Sequence, residues 1–231
     1  MKRSAHISSC FRVPSKFRAA KVASNSRNMA CLFCISEFFL IFAPMIYIDE
    51  HINDFDVAAA LSQVSEQRRE QALRFKYEQG KRTCLLAYLL LKRALREEYG
   101  IDANPVFGYG EHGKPFLTDY PHIHFNFSHC ANAVAVAVSD APVGIDIESL
   151  RAVGSPVVRY AMNDEEIAQI EQAADSTLQF VRLWTMKEAA VKLIGTGITD
   201  NLKAVLQMPD LHFETVECPD AGYVYSVCRY H

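Results

Sequence analysis

The run Val143-Gly-Ile-Asp-Ile-Glu148 alternates apolar and acidic residues. Side chains alternate across an extended strand, so Asp146 and Glu148 share one face, about 7 Å apart, while Ile145 and Ile147 point the other way. Two carboxylates in that arrangement are either solvated polar positions or an all-oxygen half-site of the kind Mg2+ prefers, completed by water and phosphate. A third acid comes from Leu183–Gly195, LWTMKEAAVKLIG, which holds the only tryptophan of the chain. Helical spacing lines up Trp184, Glu188 and Lys192 on one side. By itself Glu188 with Lys192 is an ordinary helix-surface ion pair, contributing about 0.2–0.5 kcal/mol. In NFSH, Ser128 and His129 fall at a strand end and point apart, which rules out a nucleophile–base pair and leaves phosphate hydrogen bonding or a plain turn. Lys114, between Gly113 and Pro115 in the loop YGEHGKPFL, suits a phosphate contact or simple solvation.

The elements that must position these groups are readable in outline. MIYIDEHI (45–52) alternates as a strand. A helical region follows from about Val57, and TCLLAYLLLKRALREEYG (83–100) is apolar at helical spacing with Gly100 as its stop. Residues 122–129, 133–139 and 143–149 read as three strands separated by turns. Asn163 followed by an acidic turn starts a helix over 163–173. A further helix runs from about Leu178 to Leu193 and stops at Gly195, and three more strands are expected near Val205 and over 212–217 and 222–230. The fold class is α+β: two pseudo-symmetric halves, 45–140 and 141–231, each a small antiparallel sheet packed with a long helix.

Charge is uneven. Residues 1–28 carry seven Lys and Arg and no acid, whereas from Met45 onward 17 Lys and Arg stand against 26 Asp and Glu, a net charge of −9. An acidic body argues against nucleic-acid binding. Seven cysteines at irregular spacings, an odd number, argue against a disulfide framework and for a reducing compartment. Cys31 and Cys34 form a C-x-x-C without a second pair. Residues 1–44 have a basic start and an apolar run broken by Glu37, with no clean cleavage site. They are read as a leader or start-site artefact without order of its own. Elsewhere no apolar run reaches the 18 residues a membrane span needs.

In combination, GKP, then FNFSH, then GIDIE, then WTMKEAAVK resemble the signature set of the 4′-phosphopantetheinyl transferases, in the larger, single-chain, pseudodimeric class that activates carrier proteins. Order and spacing agree from Met45 to near the C-terminus, and residues 1–44 have no counterpart. The resemblance implies Mg2+ held by Asp146, Glu148 and Glu188, with coenzyme A as co-substrate. It implies phosphate contacts from Lys114, Ser128, His129, Lys187 and Lys192, contacts to the adenosine 3′-phosphate from Arg82 and Thr83, and a basic contact to coenzyme A from Arg68. Gln71 departs from the pattern, where a lysine is expected. Glu188, Lys192 and Asp146 are the expected catalytic residues, with Glu188 as the base that takes the serine proton, directly or through water.

The implied reaction moves the 4′-phosphopantetheine arm of coenzyme A to a serine of an apo acyl or peptidyl carrier protein, releasing adenosine 3′,5′-bisphosphate. A cytoplasmic monomer is implied, since one chain supplies both walls of the crevice. Two alternatives use the same acids: another Mg2+-dependent phosphotransferase or phosphohydrolase, and a carrier-protein-binding module with a decayed metal site.

Overall fold

The structure is a computed structural model that describes residues 11–13, 43–197 and 202–231. Phe11–Val13 forms strand β1; the rest of the basic leader, with its C-x-x-C, lies outside the described residues. Strand β2 (Met45–Asp49) is followed by three helices, α1 (Val57–Leu61), α2 (Glu66–Leu73) and α3 (Glu78–Tyr99). Asp56 and Ser65 cap the first two with side-chain oxygens. The third ends at Gly100, whose φ of 70° closes the last turn in the left-handed region.

The segment expected as a loop is a hairpin of β3 (Phe107–Tyr109) and β4 (Pro115–Leu117), with Gly113 at φ 78° in its turn. Then come β5 (His124–His129), β6 (Val134–Ser139) and β7 (Val143–Ser149), close to their expected limits. Helix α4 (Ser155–Ala161) was not foreseen, and α5 (Asp164–Gln172) starts at a complete capping box between Asn163 and Glu166. Helix α6 (Ser176–Ile194) ends at Gly195 with φ 80°. The strand expected near Val205 is instead one 3-10 turn, Val205–Gln207, whose Val205 and Leu206 pack into the core of the second half. Strands β8 (Leu211–Cys218) and β9 (Tyr223–Tyr230) finish the chain. Among the described residues no helix is long and apolar enough to cross a membrane.

Besides the two-stranded β3-β4, two larger antiparallel sheets result, β1-β2-β6-β5 and β7-β9-β8. Helix α3 lays Leu85, Tyr88, Leu91 and Leu95 on the first, and α6 lays Phe180, Leu183, Ala190 and Leu193 in the core of the second half. Strand β6, VAVAVS, shows how one strand serves two cores. Val134, Val136 and Val138 face α3, while Ala135 and Ala137 face the other half. There they meet Ile145, Ile147, Tyr225 and Val227 in a core between the sheets. Small side chains on that face let the sheets approach. Strand β5 repeats the division: Phe125 and Phe127 belong to the α3 side, and Asn126 and Ser128 turn to β7. Asn126 Oδ1 accepts the backbone N–H of Ile145 at 2.9 Å, so a side chain joins the sheets where no ladder bond does.

Candidate active site

Strand β7 carries the two acids under α6. Ile145 and Ile147 fill the core between the sheets, and Asp146, Glu148 and Gly144 lie on the opposite face, which α6 covers instead of solvent. Gly144 makes that contact possible. A Cβ there would fall within the Ala189 carbonyl and 2.6 Å from Leu193 N, both backbone atoms of α6. With no side chain at 144 the helix rests on the strand, and Glu188 and Lys192 are brought onto Asp146.

The bonds that follow are short. Lys192 Nζ donates to Asp146 Oδ1 at 2.6 Å and to Ser128 Oγ at 2.8 Å, and Ser128 Oγ donates to Asp146 Oδ1 at 2.8 Å. Lys192 therefore pairs across to β7 and not with Glu188 along its own helix. Trp184 Nε1 donates to Glu148 Oε1 at 3.4 Å, and its ring stacks on Phe180. Burial raises the Glu188 carboxyl above the ordinary range, helped by the charges of Asp146 and Glu148 and opposed by Lys192. Burial and Asp146 raise Glu148 in the same way, against its bond from Trp184 and the charges of Arg151 and Lys192. His129, at the exposed end of β5, is lowered by desolvation and by the Lys192 ammonium.

Two carboxylate oxygens at this site, Asp146 Oδ2 and Glu188 Oε1, are buried without a hydrogen-bond partner. Buried acceptors left unpaired are costly. Three mutually repelling carboxylates with orphaned oxygens are the donor set a hard divalent cation fits. As the side chains stand, no three acidic, histidine or cysteine groups among the described residues are gathered closely enough to hold an ion.

Beside this cluster runs a crevice between α2, α3, the β3–β4 hairpin and the end of β5. One part, about 280 Å3, is walled by Arg68, Gln71, Phe75 and Thr83 on one side and by Pro115, Ser128 and His129 on the other. A second part, about 490 Å3, shares Thr83 and His129 and adds Asn53, Gln79 and Cys130. Arg68, Thr83, Ser128 and His129, spread over more than 60 positions of sequence, thus line one pocket. Arg68 is buried over the rings of Tyr88 and Phe107, and its Nε has no partner. Arg82 sits behind the second part, donating from Nη1 to the Asn53 carbonyl at 2.7 Å. Lys114 reaches across to α6, donating to the Leu193 carbonyl at 2.8 Å, and burial lowers its pKa.

Lys187 is a correction. Expected at phosphate, it is fully buried on the other side of α6, where Nζ pairs with Glu166 Oε2 at 2.8 Å and donates to the Leu202 carbonyl at 2.8 Å. The reason is helical geometry: one residue before Glu188 is a rotation of about 100° away. Asn126, Gly144, Asn53 and Gln79 escaped the sequence reading. Only Gly144 left a signal, as the small residue opening GIDIE.

Residues 142–224 match the family model described as the 4′-phosphopantetheinyl transferase superfamily, and residues 53–141 match that of the 4′-phosphopantetheinyl transferase N-terminal region. A 4′-phosphopantetheinyl transferase of Bacillus pumilus is 35% identical, with 71% of this chain and 78% of the relative aligned. The enzyme Sfp of Bacillus subtilis strain 168, of the same printed activity, is 28% identical over 80% of this chain and 91% of its own length. The AcpT transferase of Salmonella typhimurium is 31% identical over 69% of this chain and 87% of its own.

Proposed function

The chain belongs to the 4′-phosphopantetheinyl transferase superfamily and is an enzyme of that activity, and from that premise we propose that it transfers the 4′-phosphopantetheine arm of coenzyme A to a serine of an apo acyl or peptidyl carrier protein. What supports this reading is the convergence of Lys192, Ser128 and Asp146 on one point at the mouth of a crevice lined by Arg68, Thr83 and His129. Donors for phosphate stand there beside the Asp146 carboxylate.

Asp146, Glu148 and Glu188 would hold Mg2+, which when bound offsets negative charge on the pyrophosphate of coenzyme A. The remaining work belongs to the chain. Lys192, Ser128 and Lys114 orient the pyrophosphate oxygens and stabilise the charge that spreads over them in a phosphoryl-centre substitution. Arg68, Thr83, Arg82 and His129 hold the adenosine bisphosphate end along the crevice. Gln71, where the family pattern has a lysine, contributes an amide in place of a charge. Glu188 takes the serine proton directly or, more easily because a metal-bound carboxylate is a poor base, through a water. The serine oxygen bonds to the β-phosphorus, the bond from that phosphorus to the bridging oxygen breaks, and adenosine 3′,5′-bisphosphate leaves. We place the enzyme in a reducing compartment, since its described cysteines are free, and assign it a monomeric state because both walls of the crevice come from one chain.

The test is to incubate the protein with coenzyme A, Mg2+ and a panel of apo carrier proteins and weigh the carriers. A gain equal to one phosphopantetheine is the expected result, and no gain on any carrier would overturn the reading. Glu188→Gln should lower turnover by about 10²–10⁴-fold, the range of a general base.

A further inference from the structure

Lys114 joins two elements that are distant in sequence. Its Nζ crosses 79 positions of sequence to the carbonyl of Leu193, in the last turn of α6. Carbonyls of that turn have no donor within the helix, and the negative end of the helix dipole favours a cation. Among the described residues no carboxylate forms an ion pair with this half-buried ammonium, and Leu193 is its one hydrogen-bond acceptor. The surroundings are shaped to it. Gly195 stands where a Cβ would lie 3.1 Å from Lys114 Cδ, and Leu193 is held from below by the close contact with Gly144. The neighbouring residue, Lys192, is the one that holds Ser128 and Asp146. On the other side, Gly113 and Pro115 flank Lys114 in the hairpin and wall the crevice.

We propose that Lys114 is a strap fastening the β3–β4 hairpin to the C-terminal end of α6, and that a phosphate arriving at Lys192 and Ser128 competes with the Leu193 carbonyl for the same ammonium. Ligand entry and hairpin position are then coupled through one side chain, and Lys114 is a positioning residue for Lys192 as well as a phosphate contact. The identity of the competing group rests on the function proposed above; the strap does not.

Amide hydrogen exchange on the full chain without ligand isolates the strap. In Lys114→Met, segments 107–117 and 190–197 should exchange together about tenfold faster than in the wild type, with the rest of the molecule unchanged. Lys114→Arg, which still donates to a carbonyl, should restore both. Adding coenzyme A with Mg2+ should alter exchange in 107–117 of the wild type and do so far less in Lys114→Met. In turnover, Lys114→Met should lower kcat as well as raise KM. Unchanged exchange in ligand-free Lys114→Met, with only KM raised, would leave a phosphate contact and no strap. If coenzyme A alters nothing in the wild type and no carrier gains mass, the functional reading fails while the ligand-free result still decides the strap.

Discussion

Two lysines five positions apart along α6 have opposite surroundings. Lys192 is partly exposed, held by Ser128 and Asp146 at the mouth of the crevice. Lys187 is sealed between Glu166 and the Leu202 carbonyl. Burial lowers the pKa of Lys187, and the bond and charge of Glu166 oppose that shift. Removing one member of a buried pair leaves the other charge uncompensated, at a cost of about 3–5 kcal/mol. Lys187→Met should therefore shift the urea midpoint far down, while Lys192→Met, whose partner Asp146 keeps its bond from Ser128, should shift it less and remove transfer. A stable Lys187→Met protein with weakened coenzyme A binding would return Lys187 to the phosphate. Glu166 has a second duty in the capping box of α5, so α5 and α6 share one carboxylate. Both lysines were legible as motif members. The side of the helix each takes depends on rotation against a particular sheet, which spacing alone leaves open.

The contact of α6 with β7 is where sequence pattern becomes site. Ala189 and Ala190 are small, Gly144 has no side chain, and the helix lies close enough for Glu188 to feel the charges of Asp146 and Glu148. Gly144→Ala puts a carbon against the Ala189 carbonyl, an atom that cannot swing aside as a side-chain end can. The expected loss is about 1–3 kcal/mol of stability, as for an overpacked core, together with most of the transfer activity. Thermal unfolding and the carrier mass assay check it; a variant with wild-type Tm and turnover would show that the helix has room to spare. The two faces of β7 were legible from their period of two. The covering of the acidic face was not, because alternation separates two faces without saying what lies on either.

Tyrosine–carboxylate bonds tie the molecule together at larger range. Tyr223 donates to Glu50 at 2.7 Å, joining β9 of one half to the segment after β2 of the other. Tyr47 donates to Glu97 and Glu98 at the end of α3. Burial raises the pKa of Tyr47, Tyr99 and Tyr223, and their carboxylate neighbours add to it; burial takes the Cys228 thiol up to about 12. These groups keep their protons in the folded chain after the unfolded chain has lost them, near 8.5 for the thiol and about 10 for the phenols. The folded state then binds more protons, so stability is complete below about pH 8.5 and falls as pH rises from there toward 12. Urea midpoints measured between pH 8 and 11 should decline, and Tyr223→Phe should flatten the decline. A flat profile in the wild type would contradict these shifts.

Residue types and spacing were enough to determine the α+β class and the helix stops at Gly100 and Gly195; the three carboxylates with Lys192 were an expectation from the resemblance. The class and the stops are local properties: a period of two or 3.6, a glycine at positive φ, a cap. The tertiary structure decided the rest. It placed Lys187 behind the helix, turned Lys114 onto the Leu193 carbonyl, made a hairpin of the GKP loop and a 3-10 turn of the strand expected at Val205. It also gave Asn126 the task of joining the sheets. These outcomes depend on which surfaces meet, and a contact between residues 79 or 173 positions apart, as between Lys114 and Leu193 or Glu50 and Tyr223, leaves no periodic trace in either segment.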